Sequence, residues 1–210
     1  MKRREFIKKS IGAGIVAGTA LSAGNISRIF EKSNNYFTDT YDLVAVKNGE
    51  PDVMFDKAIE ALGGIGKFVG KNKTVVVKPN IGWDVVPEKA ACTNPKLVKR
   101  IIEHCFNACA KKVYVFDHTC DEWQKCYENS GIKKAAEDAG ATVVPAHTES
   151  YYQQVNIPKG KTLKNDKIHE LILESDVFIN VPILKNHGSA KLTIAMKNLM
   201  GINWNRGYWH

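Results

Sequence analysis

The sequence predicts an α/β fold: a mainly parallel open sheet with helices on both faces and a small antiparallel excursion near residues 150–170. Two observations predict it. Short β-branched runs alternate with amphipathic helical stretches through most of the chain, the pattern of parallel strands joined by crossover helices. The alternation breaks only where Tyr151 to Ile157 and Thr162 to His169 read as two extended segments joined by Pro158-Lys159-Gly160.

In chain order, strands are expected at 42–47, 73–78, 112–117, 142–146 and 177–182, each built on valine-rich or mixed apolar runs such as Val75-Val76-Val77. Helices are expected at 51–62, 95–110, 122–139 and 189–200. Their boundaries carry matching signals: Gly63-Gly64 follows the first, Asn94-Pro95 caps the second, Gly140 ends the third and Gly188-Ser189-Ala190 opens the fourth. One domain, 41–210, accounts for all of these elements.

Residues 1–24 read differently. Arg3 and Arg4 are adjacent, and a mildly apolar run from Ile11 to Ala23 follows, broken by Gly12, Gly14 and Gly18. This resembles a twin-arginine signal peptide. Thirteen residues fall short of the roughly 20 apolar residues a span needs, so a leader is favoured over a permanent anchor. Leu21-Ser22-Ala23 is an imperfect cleavage site, and retention of an uncleaved leader stays open. Residues 25–40, rich in Asn and Ser, are expected to be a polar linker. The implied location is the periplasm or cell envelope, with the twin-arginine translocase as the partner during export. That route carries folded proteins, often with a cofactor already in place.

The leader holds five cations against one anion, so without it the formal charge falls from +8 to +4. No basic run interleaved with aromatics is left, which sets nucleic acid aside as a partner. Five cysteines, an odd number, leave at least one without an internal disulfide. Cys105 and Cys109 are expected to be buried structural thiols. An iron-sulfur cluster on Cys105, Cys109, Cys120 and Cys126 is disfavoured, because a strand separates the two pairs by about 16 Å.

Function is sought at the carboxyl ends of the strands, where open parallel sheets place their ligands. The second strand is followed by Lys78, Pro79 and Asn80. The third is followed by Asp117, His118, Thr119 and then Cys120; the fourth by His147; the fifth by Lys185, Asn186 and His187. These would surround one crevice. Lys78 belongs to a strand end, and its burial would lower its pKa unless an anion or carboxylate compensates, a place that a ligand carboxylate or phosphate would fill. Amides at Gly188 and Ser189, opening the last helix, would cradle an anion beside Lys185 and Lys191. Lys197 and Asn198 lie two turns along, either as ligand contacts or as a clamp on a neighbouring loop. His118, His187 and Lys185 are the expected catalytic residues, and His118, His147, His187 and Cys120 the expected metal ligands.

Val75-Val76-Val77-Lys78-Pro79-Asn80, Thr93-Asn94-Pro95, Val115-Phe116-Asp117, Asn180 to His187 and Ala195-Met196-Lys197-Asn198-Leu199-Met200-Gly201 resemble, in that order, the domain of unknown function 362 family. The resemblance implies the α/β fold and the strand-end site but no settled activity. Members that look like this often carry a twin-arginine leader. Some add a ferredoxin-like iron-sulfur module, which these residues do not include. Members are usually longer, and the aromatic ending Trp204 to His210 agrees with an expected C-terminal truncation.

Three functions follow as expectations. One is an envelope enzyme acting on a small anionic molecule, with a metal ion or an iron-sulfur cluster as candidate cofactor. The second is a non-catalytic binding or scaffold protein for a small anionic ligand. The third is an electron-transfer component that docks a redox partner protein through its aromatic C-terminal segment.

Overall fold

The computed structural model describes residues 41–209; the signal peptide and linker expected at 1–40 lie outside the described residues. Four parallel strands form the central sheet: β1 (Thr74–Pro79), β2 (Lys112–Val115), β3 (Thr142–Val143) and β6 (Val177–Val181). Their order is β3-β2-β1-β6. The chain moves outward from β1 through β2 to β3, then returns to place β6 on the other side of β1. The order therefore reverses between β1 and β6, where Val75 to Pro79 face Val177 to Val181. In sheets of this kind the reversal opens a crevice beyond the strand ends.

Alternation along β1 divides the core. Val75 and Val77 join Val113, Val115 and Val181 against the helical layer, in which α2 (Pro95–Asn107) contributes Val98, Ile101, Ile102 and Cys105. Val76 points the other way and packs with Phe116, Ala146, Tyr152 and Leu171. That second face is covered by the hairpin of β4 (Tyr152–Asn156) and β5 (Asn165–His169) and by the short helix α5 (Glu170–Glu174). The antiparallel excursion is present, with Tyr152 opposite His169. Asn94 caps α2, its side chain accepting from the N–H of Lys96 at 2.9 Å. Helix α1 (Pro51–Ala61) is tied to α2 by Asp56, which accepts from Arg100 and holds a carboxyl below the usual range through that bond.

Three expected elements differ. Residues 42–47 form no strand; they find no ladder partner, and Leu43 is exposed. The helix expected at 122–139 is two helices, α3 (Trp123–Asn129) and α4 (Ile132–Asp138), because the chain turns at Gly131 with φ +70°, a conformation glycine adopts without steric cost. The helix expected at 189–200 is mostly a hairpin of β7 (Lys185–His187) and β8 (Lys191–Thr193), and only α6 (Ala195–Asn198) is helical. Leu192-Thr193-Ile194 carries β-branched side chains that favour the extended form, and Gly188-Ser189-Ala190 makes the turn.

His169 links hairpin and sheet. Its ring stacks on Phe116 with centroids 4.0 Å apart; Nδ1 accepts from the Leu171 N–H and Nε2 donates to the Pro145 carbonyl. Both nitrogens are used in the neutral form, and burial pushes the pKa down to about 4. The unfolded chain, with an ordinary histidine, binds the extra proton between pH 6.5 and 4 and the folded chain does not. Stability is therefore expected to fall by about 3 kcal/mol as pH drops through that window. Urea titrations at pH 7 and pH 4.5 measure it, and His169→Gln should flatten the dependence.

Candidate functional site

At the reversal point, Thr93 stitches the two strand ends together. Its N–H donates to the Asn80 carbonyl, its hydroxyl accepts from the Asn80 N–H at 2.8 Å and donates to the Val181 carbonyl at 2.8 Å. Tyr127 does the same beyond β2. Its phenol accepts from the Asp117 N–H and donates to the Asp117 carbonyl, with the carbonyl of Val144 also in reach. These bonds fix where Asn80 and Asp117 emerge.

Between them lies a buried ion pair, Lys78 Nζ to Asp117 Oδ1 at 2.7 Å, with side chains 0% and 3% exposed. Asp117 Oδ2 also accepts from the Ile81 N–H at 2.7 Å, and Lys78 donates to the Pro79 carbonyl. Burial pushes the Lys78 ammonium below the usual lysine range, and the Asp117 charge opposes that. The compensating anion expected for Lys78 is thus the protein's own carboxylate, and Lys78 lies beneath the cavity rather than in its wall.

The C-terminal segment lies across this pair. Asn198 donates to the Lys78 carbonyl and to Asn180 Oδ1 at 2.8 Å. Gly201 presses its backbone onto the pair: a Cβ there would sit 1.9 Å from Asp117 Oδ1 and 2.8 Å from Lys78 Nζ. Further on, Arg206 donates to the carbonyls of His118 and Thr119 and reaches Cys120 Sγ at 3.5 Å. Trp204 stacks on His118 with rings 5.4 Å apart and 5° from parallel.

What this leaves open is a cavity of about 410 Å³, walled by Asn80, Trp83, His118, Lys185, Met200 and Arg206 among others. Lys185 donates to Asn80 Oδ1 at 2.9 Å and to the Ala91 carbonyl, and its ammonium lies 5.9 Å from the Trp83 ring centre. Burial lowers its pKa. Lys197 contacts Met200 Sδ. Among the described residues, Lys185, Lys197 and Arg206 form no ion pair with a carboxylate, and the one acid in the wall, Asp117, is matched by Lys78. The cavity carries a net positive charge.

His118 has a fixed tautomer. Its Nδ1 donates to the Asn203 carbonyl at 3.1 Å, which leaves Nε2 as the basic nitrogen. Burial first, then the charge of Arg206, hold its pKa below the ordinary histidine value. His187 is oriented otherwise: Nδ1 accepts from the Ala190 N–H at 3.1 Å, closing the hairpin turn.

Of the residues read from the sequence, Asn80, Asp117, His118, Cys120, Lys185, His187, Lys197 and Asn198 all line the cavity. Asn186, Gly188 and Ser189 do not; they are exposed on the hairpin, and the helix N-terminus that would have cradled an anion at Gly188 and Ser189 is not formed. His147 stacks on Trp123, 4.5 Å between ring centres, away from the cavity wall. The four expected metal ligands do not come together as a set: among the described residues, no group of three or more His, Cys, Asp or Glu side chains is placed to hold a metal ion. Cys105 is buried, its thiol pushed up to about 12 by burial, whereas Cys109 is exposed and not the buried thiol expected. Trp83, Gly201, Trp204 and Arg206 were missed. A signal for Arg206 was available: Asp176 is the last acidic residue, so every charged side chain after it is a cation.

The family described as Domain of unknown function (DUF362) matches residues 75–210. The chain belongs to the DUF362 family. A similar protein is the Thylakoid-associated protein sll1697 of Synechocystis sp., 24% identical over 154 residues, which are 72% of this chain and 46% of that protein. This chain thus spans about half the length of the curated relative it matches. No solved structure gives a significant match.

The ion pair and its glycine lid make a direct test of how this DUF362 domain holds its site. Gly201→Ala is expected to cost about 3 kcal/mol through overpacking against a site that cannot recede. Asp117→Asn, which strands a buried ammonium, is expected to cost about 3–5 kcal/mol. Chemical denaturation of each variant beside the wild type measures both.

Proposed function

We propose that this DUF362 protein works in the cell envelope, binds a small carboxylate- or phosphate-bearing molecule in the strand-end cavity, and exchanges a proton with it at His118. The observation that carries this reading is the charge balance of the cavity: Lys185, Lys197 and Arg206 face neutral partners, while Asp117 is already neutralised. Three cations around 410 Å³ fit the size and charge of a small organic anion. The twin-arginine pattern at Arg3-Arg4 supports export, and the thylakoid association in the relative's name is in keeping with a place at or near a membrane. Among the described residues no helix is long and apolar enough to cross a membrane.

His118 supplies the chemical half of the proposal. The Asn203 carbonyl holds the Nδ1 proton, so a proton from the ligand would be taken at Nε2. An anion seated beside Arg206 offsets the guanidinium charge that depresses the pKa of His118. Binding would thus raise the basicity of the ring at the moment it is needed. Trp204, stacked on the imidazole, keeps the ring plane fixed during the exchange.

Calorimetric titration of the full chain with inorganic phosphate and with succinate tests the binding half. Lys185→Met and Arg206→Met should each weaken the better ligand at least tenfold, about 1.4 kcal/mol, and His118→Asn should leave affinity within a few fold. Equal affinity in wild type and both cation variants would refute the reading.

A further inference from the structure

Resting on the reading that the strand-end cavity binds a small organic anion, we infer that the anionic group is borne by a flat aromatic ring and that this ring stacks on the indole of Trp83. The class of molecule is thus narrowed to aromatic carboxylates and aryl phosphates.

Trp83 lines the cavity and is 41% exposed. Single exposed apolar residues are ordinary, but this one stands on a loop tied down at five consecutive residues. Asn80 donates its N–H to Thr93 Oγ1, and Ile81 donates to Asp117 Oδ2. The Gly82 carbonyl accepts from the Cys120 N–H at 2.9 Å, the Trp83 carbonyl accepts from Cys92 Sγ at 3.5 Å, and the Asp84 N–H donates to Asp121 Oδ2 at 3.0 Å. An aromatic side chain on a backbone held this firmly, with its surface left uncovered, loses little freedom when a ligand lies on it.

Two other tryptophans are already paired: Trp204 stacks on His118 at 5° from parallel and Trp123 on His147 at 10°. Among the described residues Trp83 has no aromatic partner; the group beside its ring is the Lys185 ammonium, 5.9 Å from the ring centre. Lys185 gives two of its three N–H donors to Asn80 Oδ1 and the Ala91 carbonyl. The third is left for a ligand.

Shape selects a flat ring over a saturated body. An indole offers a broad planar face, which a second planar ring matches in an offset stack and a puckered ring or an aliphatic chain touches at a few hydrogens. Ile183 and Met200 add apolar surface to the same wall. A ring laid on Trp83 brings a carboxylate or phosphate at its margin beside Lys185, so the cation and the indole act on one molecule together. Inorganic phosphate and succinate, which have no ring, would engage the cations and leave the indole bare.

Calorimetry of the full chain compares anions matched in charge: phthalate against its ring-saturated counterpart hexahydrophthalate, and phenyl phosphate against cyclohexyl phosphate. Saturation keeps the anionic groups and adds apolar bulk, so a pocket that selects on bulk alone would favour the saturated member. The aromatic member of the better-binding pair should bind at least about fivefold tighter. Trp83→Leu, at an exposed position, should bring that ratio to within about twofold of unity, and Trp83→Phe should keep a preference above about twofold. Both members are measured on one sample, so a loss of folded protein does not alter the ratio. Equal or tighter binding of the saturated member overturns the inference, and so does a preference that survives in Trp83→Leu. If phosphate or succinate binds and none of the ring anions does, the inference falls and the anion-binding reading stands; if none of these anions binds, both fall.

Discussion

The buried pair of Lys78 and Asp117 is the constraint on which the site depends. A lysine at the last turn of a central strand has no water, and the 2.7 Å contact with Asp117 is what allows its charge to exist there. The same carboxylate takes the Ile81 N–H, so the loop after β1 is fastened to the end of β2. Because a buried pair of this kind returns little net stability over an apolar alternative, its structural value lies in position: it sets the relative height of two strand ends and the path of the loop between them. Gly201 completes the arrangement, since only a residue without a Cβ lets the C-terminal segment come down onto the pair.

That pair also explains the electrostatics above it. Had Asp117 been free, it would have neutralised one of the cations in the cavity wall. Matched to Lys78 from below, it contributes a hydrogen-bonded floor with no net charge, and Lys185, Lys197 and Arg206 are left to set the potential. The strand order places this chemistry. With β1 and β6 adjacent and their onward connections diverging, the loops separate and leave room, and Thr93 keeps the two strand ends from drifting apart as they do so.

Much of this was legible in the sequence because strands in a buried parallel sheet are read from short apolar runs, and polar residues following such runs necessarily emerge at one edge. Lys78, Asp117, His118 and Lys185 were found that way. Strand order was not legible, since nothing local in Val75-Val76-Val77 states which neighbour it will have. The pairing of Lys78 with Asp117 was missed for the same reason: it is a contact between residues 39 apart that depends on β1 lying beside β2. The stretch from 189 to 200 was misread because Ala190, Lys191, Ala195, Met196 and Lys197 are good helix formers, and intrinsic propensity gave way to Leu192-Thr193-Ile194 and to the pairing with Lys185 to His187. His147 followed a strand as expected but was drawn aside by stacking on Trp123.

The misread segment is also the one in which a single stretch of chain serves two environments. Alternation along β7 and β8 sends Lys185, His187 and Thr193 into the cavity wall and leaves Leu184 and Leu192 on the outside. A helix over the same residues would present its side chains every 100° and could not separate the two sets so cleanly. Two-fold alternation does so with three residues per strand. The extended form is thus the one that lets this stretch line a cationic cavity with Lys185, His187 and Thr193 while Leu184, Asn186 and Leu192 of the other row stay exposed. Any contact made by the outer row bears directly on the backbone that positions Lys185, because both rows share the same short ladder.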